Sequence, residues 1–260
     1  MADNAISSLE RGHLHYFPVA PGRMEFAIEV RRAILTEQPA VIAVELPATF
    51  EAQYRKAIER LPEISVLVYP DDDGDEDNKA IYVPVEPADP FAEAVRTAME
   101  LGLELLFIEP DLGDRPHLGD LYPDPYSLRR VSYEKYVEAY RVHPQPRTDE
   151  TAEHAAGMAW RLQGSDPGKR TLVVCSLNLL DALLDAMEAP QDPPEERRRA
   201  ARVDLVNAHP ECLAEITVEM PYLQERYETF RMTMLEADAI DRPRVQMGLS
   251  EKVRFEIAVS

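Results

Sequence analysis

Apolar residues along the chain gather in short runs separated by charged, amphipathic stretches, and the alternation predicts strands and helices in turn. The first run, His13-Leu14-His15-Tyr16-Phe17, is broken by Pro18 and by Pro21-Gly22, the punctuation of a strand end. Over residues 23–37, Met24, Ala27, Ile28, Ile34 and Leu35 recur near helical spacing until Pro39, so a helix is expected there. Ala40-Val41-Ile42-Ala43-Val44 is a continuous apolar run, as expected of a strand covered on both faces, and it closes at Glu45-Leu46-Pro47.

The same grammar continues with a helix over 49–61, strands over 64–69 and 80–85, and a helix over 90–101 with Asp89 as N-cap and Gly102 as its stop. A strand over 103–108 delivers Glu109 and Asp111. Residues 112–147 are rich in Pro, Tyr and Asp and contain one expected helix, 132–140, which makes the segment a candidate lid or inserted lobe. A second block follows: a helix over 149–162, a turn over 164–168, a strand over 171–176 and a helix over 179–187. Beyond the proline-rich break at 190–194, charged helices are expected over 195–207 and 221–238, then a strand-like run over 253–259.

Repeated strand-then-helix units predict an α/β fold, a mainly parallel sheet or partial barrel with an additional helical C-terminal region. Residues 1–189 read as the α/β core domain with a Pro/Tyr-rich insertion at about 112–147, and residues 190–260 as a helical extension ending in a candidate strand.

Composition narrows the partners. With 28 Lys and Arg against 48 Asp and Glu, the net charge of −20 argues against nucleic acid, whose phosphates need a basic face, and likewise against a membrane surface. No apolar run approaches the length of a membrane span, and the first residues lack the pattern of a secretory signal. The two cysteines, Cys175 and Cys212, are far apart in sequence, so a reducing, cytoplasmic setting is expected. The acidic tract 71–78 superficially resembles a calcium loop. Val83 and Pro84 occupy the region where such a loop needs its bidentate Glu, so the tract reads as a solvated loop.

In parallel α/β sheets functional groups collect where strands end, which singles out His15, Glu45, Tyr69, Glu86, Glu109, Asp111 and Asn178. One imidazole among several carboxylates suits a divalent metal or general acid and base work. His13 lies two residues before His15, hence on the same face of a strand, and a metal shared by the two is conceivable. Helix capping and core packing are the structural readings of the same residues. Dinucleotide, Walker, nucleophile-elbow and zincin motifs are absent, and the glycine-containing segment 164–171 precedes a strand, so it reads as a turn.

The segment Gly12-His13-Leu14-His15, a helix, and Pro39-Ala40-Val41-Ile42-Ala43-Val44-Glu45-Leu46 together resemble the opening of the TraB/Tiki group. That group belongs to a superfamily with the erythromycin esterases and ChaN-like haem-associated proteins, and its opening runs G-T-x-H, helix, P-D-x-V-x-V-E-L. His15 and Glu45 fall on its matching positions. Residues 91–102 followed by Leu106-Phe107-Ile108-Glu109 are similar to the family's helix and acid-ended strand, with Glu109 where many members have Asp. Val173-Val174-Cys175-Ser176-Leu177-Asn178 resembles the late strand V-V-G-A-x-H, with Asn178 in place of its histidine.

The resemblance implies a site of His15, Glu45 and Glu109 and, in some relatives, metal-dependent peptidase-like or esterase-like hydrolysis. The expected roles are Glu45 and Glu109 in catalysis, with His15, Glu45 and Asp111 holding Mn, Mg or Zn. Asn178 is a poorer metal ligand than imidazole and no general base near neutral pH, so the resemblance equally implies a degenerate member acting in binding or regulation. Its ligand would then be a protein or a small molecule. ChaN-like binding of a flat hydrophobic cofactor is a third reading, and no axial-ligand motif accompanies it.

Overall fold

The computed structural model describes residues 9–70, 80–112, 121–143, 146–195 and 203–238. Its centre is a five-stranded sheet in the order β1-β2-β7-β3-β6, formed by β1 (Glu10–Arg11), β2 (Leu14–Val19), β3 (Val41–Pro47), β6 (Glu104–Glu109) and β7 (Thr171–Ser176). All neighbours are parallel except the short β1, which runs antiparallel to β2. Leu14 is in register with Thr171 and Val19 with Ser176, so β2 and β7 begin and end together. Pro18 is tolerated inside β2 because β1 covers only the first two residues of that edge and no ladder hydrogen bond is forfeited there.

Helices cover both faces. Phe17 stacks on Tyr133 at 4.2 Å, and Tyr133 in turn meets Phe26, which puts α1 (Met24–Glu37) and α4 (Tyr133–Arg141) on one face of the sheet. On the same face Phe107 meets Tyr54 of α2 (Glu51–Arg60), and α3 (Pro90–Leu101) packs against α1, α2 and β3. Leu106, adjacent to Phe107 and therefore pointing the other way, sits beside Trp160 of α5 (Asp149–Gln163), with α6 (Leu180–Ala186) packed on α5. The fold is thus α/β with a mostly parallel central sheet.

Local chemistry sets the helix ends. Asp89 accepts a hydrogen bond from the Ala92 amide and Pro90 takes the first helical position, while Gly102 ends α3 in the left-handed region at φ 66°. Ser132 and Thr148 cap α4 and α5 in the same way.

Two sequence expectations need correction. The strands expected over 64–69 and 80–85 form as β4 (Ser65–Pro70) and β5 (Ala80–Val85), but they leave the parallel sheet and pair antiparallel in a second sheet, ordered β5-β4-β8. Its third strand, β8 (Asp204–Asn207), lies where the sequence reading expects the end of a charged helix. Its half-buried Leu205, and Val203 just before it, pack on the main core, an anchorage that the charges around them obscure. The acidic tract 71–78 and the strand-like run 253–259 lie outside the described residues.

After the single-turn α7 (Leu213–Ile216), α8 (Pro221–Asp238) returns to the core and docks on α1 and α3. Apolar contacts among Met24, Ala27, Ala88, Tyr227 and Phe230 are joined by a buried ionic network. Glu93, fully buried, receives Arg31 at 3.2 Å and Arg231 at 2.8 Å, Thr97 adds a 2.6 Å hydrogen bond, and Arg231 also reaches Glu100 at 2.7 Å. Arg96 pairs with Glu228 beside it. No described helix is long and apolar enough to cross a membrane.

Candidate functional site

The parallel strands end side by side, Val19 level with Ser176 and Pro47 with Glu109. Ligands of open α/β sheets bind beyond such carboxyl ends. A cleft of about 410 Å³ opens here, walled by the β2–α1 turn, the ends of β3 and β7, the start of α3 and the edge strand β5. Its volume lies within the range of small-molecule pockets.

Glu45 stands at the base of this cleft and is almost fully buried. Ser176 holds both of its oxygens: the amide donates to Oε2 at 2.6 Å and the hydroxyl to Oε1 at 2.7 Å. On the α3 side, Asp89 does more than cap its helix, because its Oδ2 accepts the Gly22 amide at 2.8 Å and so fastens the β2–α1 turn. Glu86 precedes it and accepts from the Val218 amide at 3.0 Å and from the Gln224 side chain, which ties the segment leading into α8 across the cleft. Gly22 makes that crossing possible. It lies at φ 67°, and a Cβ there would meet the side chain of Val218 at 2.5 Å.

Burial dominates the titration of these acids. It pushes Glu86 up to about 7, against the hydrogen bond from Val218 that favours the charged form, and the neighbouring Asp89 raises it further. Burial also raises Asp89 from its ordinary value, and it raises the Tyr54 phenol in the same wall. Asn178, just beyond β7, is 8 % exposed and lines the cleft, and its Oδ1 receives no hydrogen bond from any described residue.

Of the residues named from sequence, Glu45, Glu86 and Asn178 meet in this cleft. His15 does not join them. It is the second residue of β2, in register with Leu172 near the start of β7, whereas the cleft lies past Val19 and Ser176. Its Nδ1 bonds Glu37 at 2.8 Å, and the His13 ring bonds the Ser165 hydroxyl at 2.9 Å. Both histidines line a separate, more open hollow of about 600 Å³ at the opposite end of the sheet, together with Glu10 and Arg170. They tie the start of β2 to the end of α1 and to the turn before β7. At the cleft end β2 stops at Val19 and is followed by Ala20, both fully buried.

The expected convergence of His15, Glu45 and Glu109 is therefore corrected. Glu109 does end β6, but its carboxylate faces the buried His154 of α5 at 3.7 Å and does not line the cleft, nor does the buried Asp111. Tyr69 lies in the second sheet, its ring against Phe50. The set His15, Glu45 and Asp111 does not form a metal centre, and among the described residues no three His, Cys, Asp or Glu side chains are grouped to hold an ion.

No family model, curated protein or solved structure matches the chain.

Three contributors have no individual signal in the sequence. Ser176 is visible only as the polar end of a strand, Tyr54 as one apolar position of a helix, and Val218 as part of a tail with no evident partner. Asp89 reads as a helix cap, and it is one; its second bond, to Gly22, needs the fold.

Proposed function

We propose that this chain is a non-catalytic α/β domain, degenerate with respect to the TraB/Tiki and erythromycin-esterase pattern, that acts by binding a small molecule in the strand-end cleft. The observation that carries this reading is the state of the cleft's carboxylates. Glu45, Glu86 and Asp89 are each engaged by amide or side-chain donors of the protein itself, and β2 supplies no imidazole beside them. A hydrolytic site needs a base aimed at water, or ligands that leave a metal position open. Glu45 is instead clasped at both oxygens by Ser176, and Asn178 has no proton to exchange near neutral pH.

Ester and peptide substrates assayed with Mn²⁺, Mg²⁺ or Zn²⁺, for the native protein and Glu45→Gln side by side, test the reading. The expected result is no turnover above background in either protein. Robust native turnover abolished by Glu45→Gln would overturn the reading and restore the hydrolase alternative.

A further inference from the structure

Apolar side chains are buried in two separate clusters. The large one fills the α/β core, whereas the small one joins Tyr227 and Phe230 of α8 to Met24 and Ala27 of α1 and to Ala88. A helix held by such a satellite cluster can leave without opening the main core, because local opening breaks only the contacts that the helix makes. The rest of its attachment is polar. Arg231 meets Glu93 and Glu100, Arg96 meets Glu228, and Gln224 accepts the Ala88 amide at 2.8 Å while donating to Glu86. Undocking would hydrate these groups, so no charge would be left buried and alone. Ahead of α8, residues 217–220 form a strap in which Val218 and Met220 are exposed and Glu219 between them is buried. Val218 stands in the cleft wall against Gly22, and its amide donates to Glu86 at 3.0 Å. Upstream, β8 is anchored on β4, and the single turn of α7 between β8 and the strap has no buried residue.

We propose that the strap and α8 undock from the folded α/β core as one unit, hinged at α7 and latched by Glu86, and that this movement widens the strand-end cleft. Control of access rests on the cleft being the binding site; the movement itself does not. Glu86 holds both parts of the unit at once, through the Val218 amide of the strap and the Gln224 side chain of α8. Docking buries its carboxyl and raises it to about 7, whereas release into water returns it to the ordinary 4.5. Protonation therefore favours docking. This contribution is fully present below about 4.5 and is lost as pH rises through about 7, so the unit opens on the alkaline side. The charge of Asp89 raises Glu86, and Asp89 is itself raised by burial. Tyr54 of α2 is raised by burial and by both carboxylates. On the strap, burial raises Glu219 against the pull of Arg23. Glu219 travels with the strap and shifts in the same direction as Glu86, so the two effects add.

The test is thiol protection in the whole chain. Ala27→Cys places a thiol in the apolar cluster beneath α8, Cys212→Ser removes the exposed native thiol, and Cys175, fully buried in β7, reports opening of the main core. Modification by N-ethylmaleimide is followed by peptide mass mapping, and each rate is divided by that of a short model thiol at the same pH. The introduced thiol is expected to react at least about tenfold faster than Cys175, as sub-global opening requires. Its protection is expected to fall by about tenfold between about pH 6 and about pH 8, the change that the Glu86 shift implies. Glu86→Gln, which cannot ionise, is expected to remove most of that pH dependence. If Ala27→Cys fails to fold, Ala88→Cys places the probe in the same cluster. Equal rates for the introduced thiol and Cys175 would show that α8 leaves only when the whole core unfolds, and would overturn the proposal. Protection that is constant or rises with pH, or a full pH dependence surviving in Glu86→Gln, would overturn Glu86 as the latch. The thiols are read without ligand, so each of these failures leaves the binding reading standing, and hydrolytic turnover would overturn that reading without touching the movement.

Discussion

Glu86 concentrates the electrostatics of the cleft in one side chain. Burial raises it from 4.5 to about 7 even though Val218, Glu219 and Gln224 all donate to it. Asp89 raises it and is itself raised by burial, Glu219 is raised by burial against the pull of Arg23 at the start of α1, and burial raises the Tyr54 phenol. The folded chain thus holds the Glu86 proton more tightly than the unfolded chain. Its contribution to stability is fully present below about 4.5 and is lost as pH rises through about 7. Thermal unfolding followed by circular dichroism should show the midpoint falling between about pH 5 and about pH 8, with a shallower slope in Glu86→Gln. An unchanged slope in that variant would assign the effect to other groups. At Glu45, Ser176→Ala removes the hydroxyl donor to a buried carboxylate and is expected to destabilise the protein by on the order of 1–3 kcal/mol in denaturant unfolding.

Legibility at this scale was uneven for a physical reason. Asp89 and Gly102 were readable because caps depend on local backbone geometry. The sequence places His15 at the wrong end of its strand because Pro18 reads as a terminator. In the fold the open edge of β2 accommodates that proline, and the strand continues to Val19, carrying its functional end away from the histidine.

Among the elements, α8 shows how a polar interface can fasten a helix. Its clamp is the pairing of Arg231 with the fully buried Glu93 and with Glu100, beside Arg31. Removing one partner of a buried pair leaves the other charge uncompensated, which costs about 3–5 kcal/mol. Arg231→Met is therefore expected to lower stability by that order and to expose the segment 217–233 to limited proteolysis before the core unfolds. Cleavage of this segment no faster than in the native protein would contradict the clamp. The sequence reading anticipated this helix over the residues it occupies, and likewise β5 and α3, because apolar periodicity is local. Partner choice is not local. A strand preceded by a helix reads as another parallel strand, and only the pairing of β4 with β5 and β8 reveals that the chain has left the main sheet.

On the scale of the molecule, the sheet separates two kinds of polar cluster. At the start of its strands, His15, Glu37 and Arg170 are joined in a row, and His13 bonds Ser165 in the turn before β7. Past the ends of the strands lies the cleft in which Asn178 stands among three carboxylates. The α/β class followed from strand and helix alternation. The location of the cleft did not, since it depends on β7 entering between β2 and β3 and on the segment before α8 crossing Glu86. Amide hydrogen exchange with and without small organic molecules that bind the whole chain, read peptide by peptide, tests most directly whether binding occurs in this cleft. Slower exchange is expected in peptides covering Gly22, Ser176 to Leu179 and Val218, with no change around His13 and His15. Protection confined to the histidine end, or no protection at all under conditions where the ligand is bound, would contradict it.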